Sequence, residues 1–123
     1  MRLLACAMVS LLAACSMPSV KGITAAPPLL VFEWPKDQES GVQCVVEALN
    51  DLGWRAVVQD LGTRTQVVWN GPSVLGIPRP VAVFDVLPAS GANPSRIEMR
   101  VADDPSEPDR IRQSWKAKLA SCR

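Results

Sequence analysis

SGVQCVVEALNDLG, residues 40–53, places apolar side chains at Val42, Val45, Val46, Leu49 and Leu52, a recurrence that matches the turn of an amphipathic helix. Ser40 with Gln43 three positions later has the form of a capping box. Gly53 suits the stop, so the helix is expected to end at Leu52. Cys44 lies at the margin of the apolar face, beside Ala48. A helix with one apolar stripe needs a second layer to bury it, and the residues that follow supply one.

WRAVVQ (54–59) and RTQVVWN (64–70) are Val-rich runs joined by DLGT, a hairpin pattern. Trp54, Ala56 and Val58 alternate on one face. The other face carries Arg55, Gln59, Arg64 and Gln66 beside Val57 and Val68, a mixture that reads as solvated. RPVAVFDVL (79–87) and RIEMRV (96–101) form two more strands across the turn-rich PASGANPS, with Ile97, Met99 and Val101 alternating with Glu98 and Arg100. LLVFEW (29–34) reads as a further edge strand ended by Pro35. A second helix starts near Ser106 or Pro108, since Pro is tolerated in a first turn and Glu107 and Asp109 suit its positive end; its stripe is Ile111, Trp115 and Leu119. The order is β-α-β-β-β-β-α. It predicts an α+β domain: an antiparallel sheet of about four strands, with the N-terminal fifth, two helices on one face and the other face partly wet.

Ahead of this domain stands MRLLACAMVSLLAAC (1–15), with a positive start at Arg2, an uncharged run from Leu3 to Leu12 and small residues at Ala13 and Ala14. These are the parts of a secretory signal. The run is too short for a bilayer span, which needs about 20 apolar residues. Leu-Leu-Ala leads into cysteine twice, at Cys6 and, with a second Ala, at Cys15, but only Cys15 follows a full apolar run; Cys6 lies inside it and is expected to leave with the signal. Leu12-Ala13-Ala14-Cys15 resembles the lipobox of bacterial lipoproteins. The resemblance implies cleavage before Cys15, a diacylglyceryl thioether on its sulfur and acylation of its new amine. In the sorting rule of Gram-negative lipoproteins an Asp after that cysteine favours the inner membrane; Ser16 stands here, which favours the periplasmic face of the outer membrane. Two or three acyl chains hold a protein on a bilayer where one does not.

The division that follows is a signal peptide at 1–14, a lipidated flexible tether at 15–28 and a single periplasmic domain at 29–123. SMPSVKGITAAPP (16–28) shows no helical or strand period and reaches about 40 Å if extended. Loss of Arg2 from the thirteen Lys and Arg leaves them balanced against the twelve Asp and Glu. A neutral chain without a basic patch argues against nucleic acid. Cys44 and Cys122 are the cysteines left after lipidation, and an even pair in an exported protein points to a disulfide. Cys122 falls within the stripe of the second helix, so the bond would pin the two helices together.

The sequence contains no His, which excludes Ser-His-Asp and Cys-His arrangements and removes the usual proton shuttle. DDPSEPD (103–109) lacks the spacing of a calcium loop and reads as a solvated loop and helix start. Catalytic residues, a metal site and a cofactor are therefore not expected. GPSVLGIPRP (71–80) places Val74, Leu75 and Ile77 in a Gly- and Pro-rich connection where polar residues are commoner, marking them as candidate partner contacts or as cover for the sheet edge. Trp34, before Pro35, is the tryptophan expected at the surface, whereas Trp54, Trp69 and Trp115 fall on inward faces. The functional expectation is a lipid-anchored, non-catalytic binding or accessory module of an envelope complex. The alternative is a periplasmic inhibitor or immunity protein against a toxin or lytic enzyme.

Overall fold

Five strands form one antiparallel sheet in the computed structural model, which describes residues 19–102 and 105–122, with the backbone alone at 73, 74, 77 and 78. In chain order the elements are α1 (Val20–Ala25), β1 (Leu30–Trp34), α2 (Gln38–Asp51), β2 (Arg55–Asp60), β3 (Thr65–Val74), β4 (Ile77–Leu87), β5 (Ser95–Val101) and α3 (Pro108–Ala120). Their order across the sheet is β1-β5-β4-β3-β2. The fold is α+β, and the N-terminal edge strand read from LLVFEW is present, paired with β5 through Leu30↔Met99 and Phe32↔Ile97.

Strand alternation fixes which side chains meet the helices. Val67, Phe84, Val86, Ile97 and Met99 project to one face and are fully or almost fully buried there, with Val45 and Leu49 from α2 and Trp115 and Leu119 from α3. The Phe84 and Trp115 rings lie 4.7 Å apart at 55°, a tilted pairing favoured by the aromatic quadrupoles. α3 keeps the expected stripe, with Ile111 at its half-buried end.

α2 begins earlier than the capping-box pattern implies. Asp37 is the N-cap, its carboxylate accepting the Ser40 N–H at 2.9 Å. Ser40 occupies the first turn instead, where its hydroxyl donates to the Asp37 carbonyl and accepts the Trp34 indole N–H at 3.0 Å. An acidic cap three residues upstream can hold the first turn, so the polar Gln38-Glu39-Ser40 segment becomes helix. Facing Asp37, the Ser40 N–H and then the Ser40 hydroxyl lower the carboxyl below its usual range, with Lys36 adding to the effect against a small opposing desolvation.

The segment expected to be a flexible tether is helical at 20–25. Ser19 caps it by accepting the Gly22 N–H at 3.1 Å, and Ile23 is buried against Val68 and Val83 on the second face of the sheet. One apolar residue per turn leaves no period to read in six residues, and the sheet supplies the order that propensity does not.

The connection at 71–80 is likewise not an irregular loop. β3 and β4 continue through it as a two-stranded ribbon, with Asn70 opposite Pro80 and Val74 opposite Ile77 at its end. Leu75 and Gly76 turn the chain with φ of 53° and 76°, the positive-φ pair of a two-residue type I′ hairpin loop. Gly71 is required for packing, because a Cβ there would come within 2.8 Å of a Val81 methyl. Three prolines had argued for a loop, but the register shifts at Asn70 and Gly71 absorb them.

Candidate binding surface at the β2 flank and the hairpin tip

Cys44 and Cys122 are bonded, with Cα atoms 5.8 Å apart across 78 residues of sequence. Cys44 is buried on α2 and Cys122 is half-buried just beyond α3, so the bond ties the two helices to each other over the same sheet face. Cys15 lies outside the described residues, as do Asp103 and Asp104. Of the DDPSEPD run, Glu107 and Asp109 form ion pairs with Arg110 and Arg112.

Trp34 departs from its expected exposure. It is 3 % exposed, pointing into the helix-covered face from the end of β1, with its indole N–H shared between the Asp37 carbonyl and the Ser40 hydroxyl, each at 3.0 Å. Gly41 makes the room, since a Cβ there would sit 3.3 Å from the Trp34 ring. Pro35 ends the strand but does not turn its last side chain outward. Trp54 and Trp69 stack in parallel at 3.4 Å and are half-buried, and Trp115 is buried.

The second face is less open than its composition suggested. Gln66 and Val68 are buried, partly under α1 and partly within a charged cluster that spans three strands. Asp85 sits at its centre: Gln66 Nε2 donates to it at 3.2 Å, Arg100 pairs with its other oxygen at 3.2 Å, and Arg64 Nε lies 3.1 Å away but off the hydrogen-bonding direction. Arg100 also pairs with Glu98 and donates its Nε–H to the Ala26 carbonyl at 2.8 Å. This last bond fastens the end of α1 to the sheet. Sequence reasoning missed the cluster, although one signal was present in an acidic residue inside the apolar run VAVFDVL. Both acids face arginines, so the cluster links β3, β4 and β5 and docks the N-terminal segment.

Apolar surface gathers elsewhere. β2 is an edge strand whose outer backbone edge has no strand beside it in the sheet, and Val57, Val58 and Leu61 on and just beyond it are 48 %, 50 % and 38 % exposed. A groove between the start of α1 and this flank is lined by Val20, Val57, Val68 and Pro80 together with the polar Ser19, Gln59, Gln66 and Asn70. Past the groove the ribbon carries Leu75 at its tip, 94 % exposed. Of Val74 and Ile77 the backbone places both beside Leu75, while their side chains lie outside what is described. A leucine with φ of 53° costs about 1–2 kcal/mol relative to the right-handed or extended regions. It is the non-glycine residue with positive φ among the described residues, and Asn or Gly would relieve the strain.

Compared with known proteins, the chain matches no family model, no curated sequence and no solved structure.

Proposed function

We propose that the protein is a lipid-anchored envelope module, held on the periplasmic face of the outer membrane through acylated Cys15, that binds another envelope component without catalysis. The lipobox supports the anchor. The Cys44–Cys122 disulfide supports an oxidising compartment. The observation that carries the binding role is the β2 flank: aliphatic side chains on both faces of an unpaired edge strand. Proteins usually blunt such an edge with charge or proline; here the charges, Arg55 and Asp60, stand at the two ends of the strand and leave Val57 and Val58 between them. An extended segment of a partner could add to it through main-chain hydrogen bonds while Val57 and Val58 supply side-chain contact.

The exposed hairpin tip favours a second reading, an inhibitor or immunity protein whose rigid ribbon enters a cleft of its target. A toxin gene adjacent to this one would favour that reading, and a secretion or transport operon the first.

Palmitate labelling and capture from native envelope test the proposal together. The acylated chain should take up label and retain a defined envelope protein, Cys15→Ala should lose the label and membrane retention, and Val58→Lys should keep the label and lose the partner. Capture unchanged by Val58→Lys removes β2 from the interface; unlabelled wild-type chain removes the anchor.

A further inference from the structure

We propose that the hairpin tip is a second membrane contact, with Leu75 lodged in the bilayer that holds Cys15. The inference rests on the lipid-anchor reading and adds how the domain stands on that bilayer. Ser19 lines the same groove as Asn70 and Pro80, so the chain arrives on the side of the sheet from which the ribbon rises. The four residue steps between Cys15 and Ser19 span at most about 14 Å. From the Asn70–Pro80 pair to the Val74–Ile77 pair the ribbon runs three to four residue steps, about 10–13 Å at a strand's rise per residue, and the turn carries Leu75 beyond it. The reach of the tether and the length of the ribbon are comparable, so an anchored Cys15 and the tip can meet one membrane surface.

The chemistry of the tip fits a lipid surface. Leu75 stands almost wholly in solvent, between Val74 and Ile77 in sequence. No acidic residue occurs between Asp60 and Asp85, and the cations in that stretch are Arg64 and Arg79. Arg64 is engaged with Asp85, while Arg79 is exposed on the ribbon, where a guanidinium can meet anionic lipid headgroups as the aliphatic tip enters the acyl region. The backbone adds an independent argument. The turn holds a leucine at φ 53° where Asn is preferred, and no buried contact of Leu75 compensates for it. Strain kept at an exposed position points to a role outside the folded chain.

Methyl NMR of the full acylated protein in nanodiscs of phosphatidylethanolamine and phosphatidylglycerol tests this, using leucine methyl labelling and a lipid carrying a paramagnetic group in its acyl chain. Leu75→Asn assigns the signal, and a thermal midpoint no lower than wild type shows that this variant is folded. Palmitate labelling is read on the same preparation. The expected result is label uptake and loss of the Leu75 methyl signal, with the Leu49 and Leu119 signals retained. A labelled protein whose Leu75 signal survives overturns the membrane contact and leaves the anchor intact. An unlabelled protein overturns the anchor and, with it, the tether geometry on which the contact depends.

Discussion

The two faces of the sheet are held by different physics. On one, α2 and α3 cover an aliphatic and aromatic layer with a covalent link between the helices. On the other, a six-residue helix and the Asp85 cluster cover only part of the surface, leaving Val57 and Val31 about half exposed. Hydrophobic burial is non-directional and scales with area, so the first face needs only the right residues at the right period. An ion cluster is directional and expensive to desolvate, so the second face depends on a few exact partners. The first face supplies stability; the second, together with both sides of the outer strand β2, leaves surface free for interaction.

Loss of the disulfide should break this contrast most severely. Opening a loop of this length removes about 4 kcal/mol in the chain-entropy account, a large share of a small domain's stability. Intact-mass analysis should find no free thiol at Cys44 or Cys122 before reduction and two after it, and reduction should lower the thermal midpoint. A bond reduced without any change in midpoint would mean that the packed face is self-sufficient.

Arg100→Met probes the other face. The substitution leaves the Ala26 carbonyl without its partner, Glu98 with Arg96 alone and Asp85 with Arg64 and Gln66, so we expect a loss of about 2 kcal/mol. Hydrogen exchange should rise first in α1, because the Arg100 to Ala26 bond holds its end. Uniform acceleration across the helix-covered face instead would show that the two faces unfold as one unit.

The smallest effect is expected at Asp37. Its carboxyl is lowered chiefly by the Ser40 N–H and then the Ser40 hydroxyl. A lowered folded-state value means that the charged form stabilises the fold: the contribution is fully present above the unfolded value, about 3.9, and is lost as pH falls through the lower folded value. Asp37→Asn keeps a capping oxygen and removes the charge. Its midpoint should fall below wild type at pH 7, and the difference should vanish in acid below the carboxylate range. A difference that persists there would assign the effect to packing of the first turn.

Much of the helix-covered face could be read directly. Val45 and Leu49 recur at the helical period and Ile97 and Met99 at the strand period, so the burying faces follow from spacing alone. The pairing of Cys44 with Cys122 follows from an even count and from helix phase. Trp34 was misread because Pro35 signals where the strand ends, while the direction of the tryptophan depends on β1 pairing with β5 and on the space at Gly41, neither of which is local. The candidate contact residues were legible as a group in GPSVLGIPRP, but not as a ribbon, since prolines and glycine report turns whether or not a ladder continues past them.

The sequence by itself determined the composition of the packed layer, the order of strands and helices from β1 onward and the cysteine pair, because periodicity and covalent chemistry act over short windows or on residue identity. Tertiary structure alone decided that residues 20–25 become a helix on the second face, that Asp85 gathers Arg64 and Arg100, and that Leu75 stands at positive φ on a projecting tip. Each of these depends on partners brought together from distant strands or on a turn whose strain only the surrounding ladder enforces, and local spacing, which marks Asp85 as out of place in an apolar run, names none of those partners.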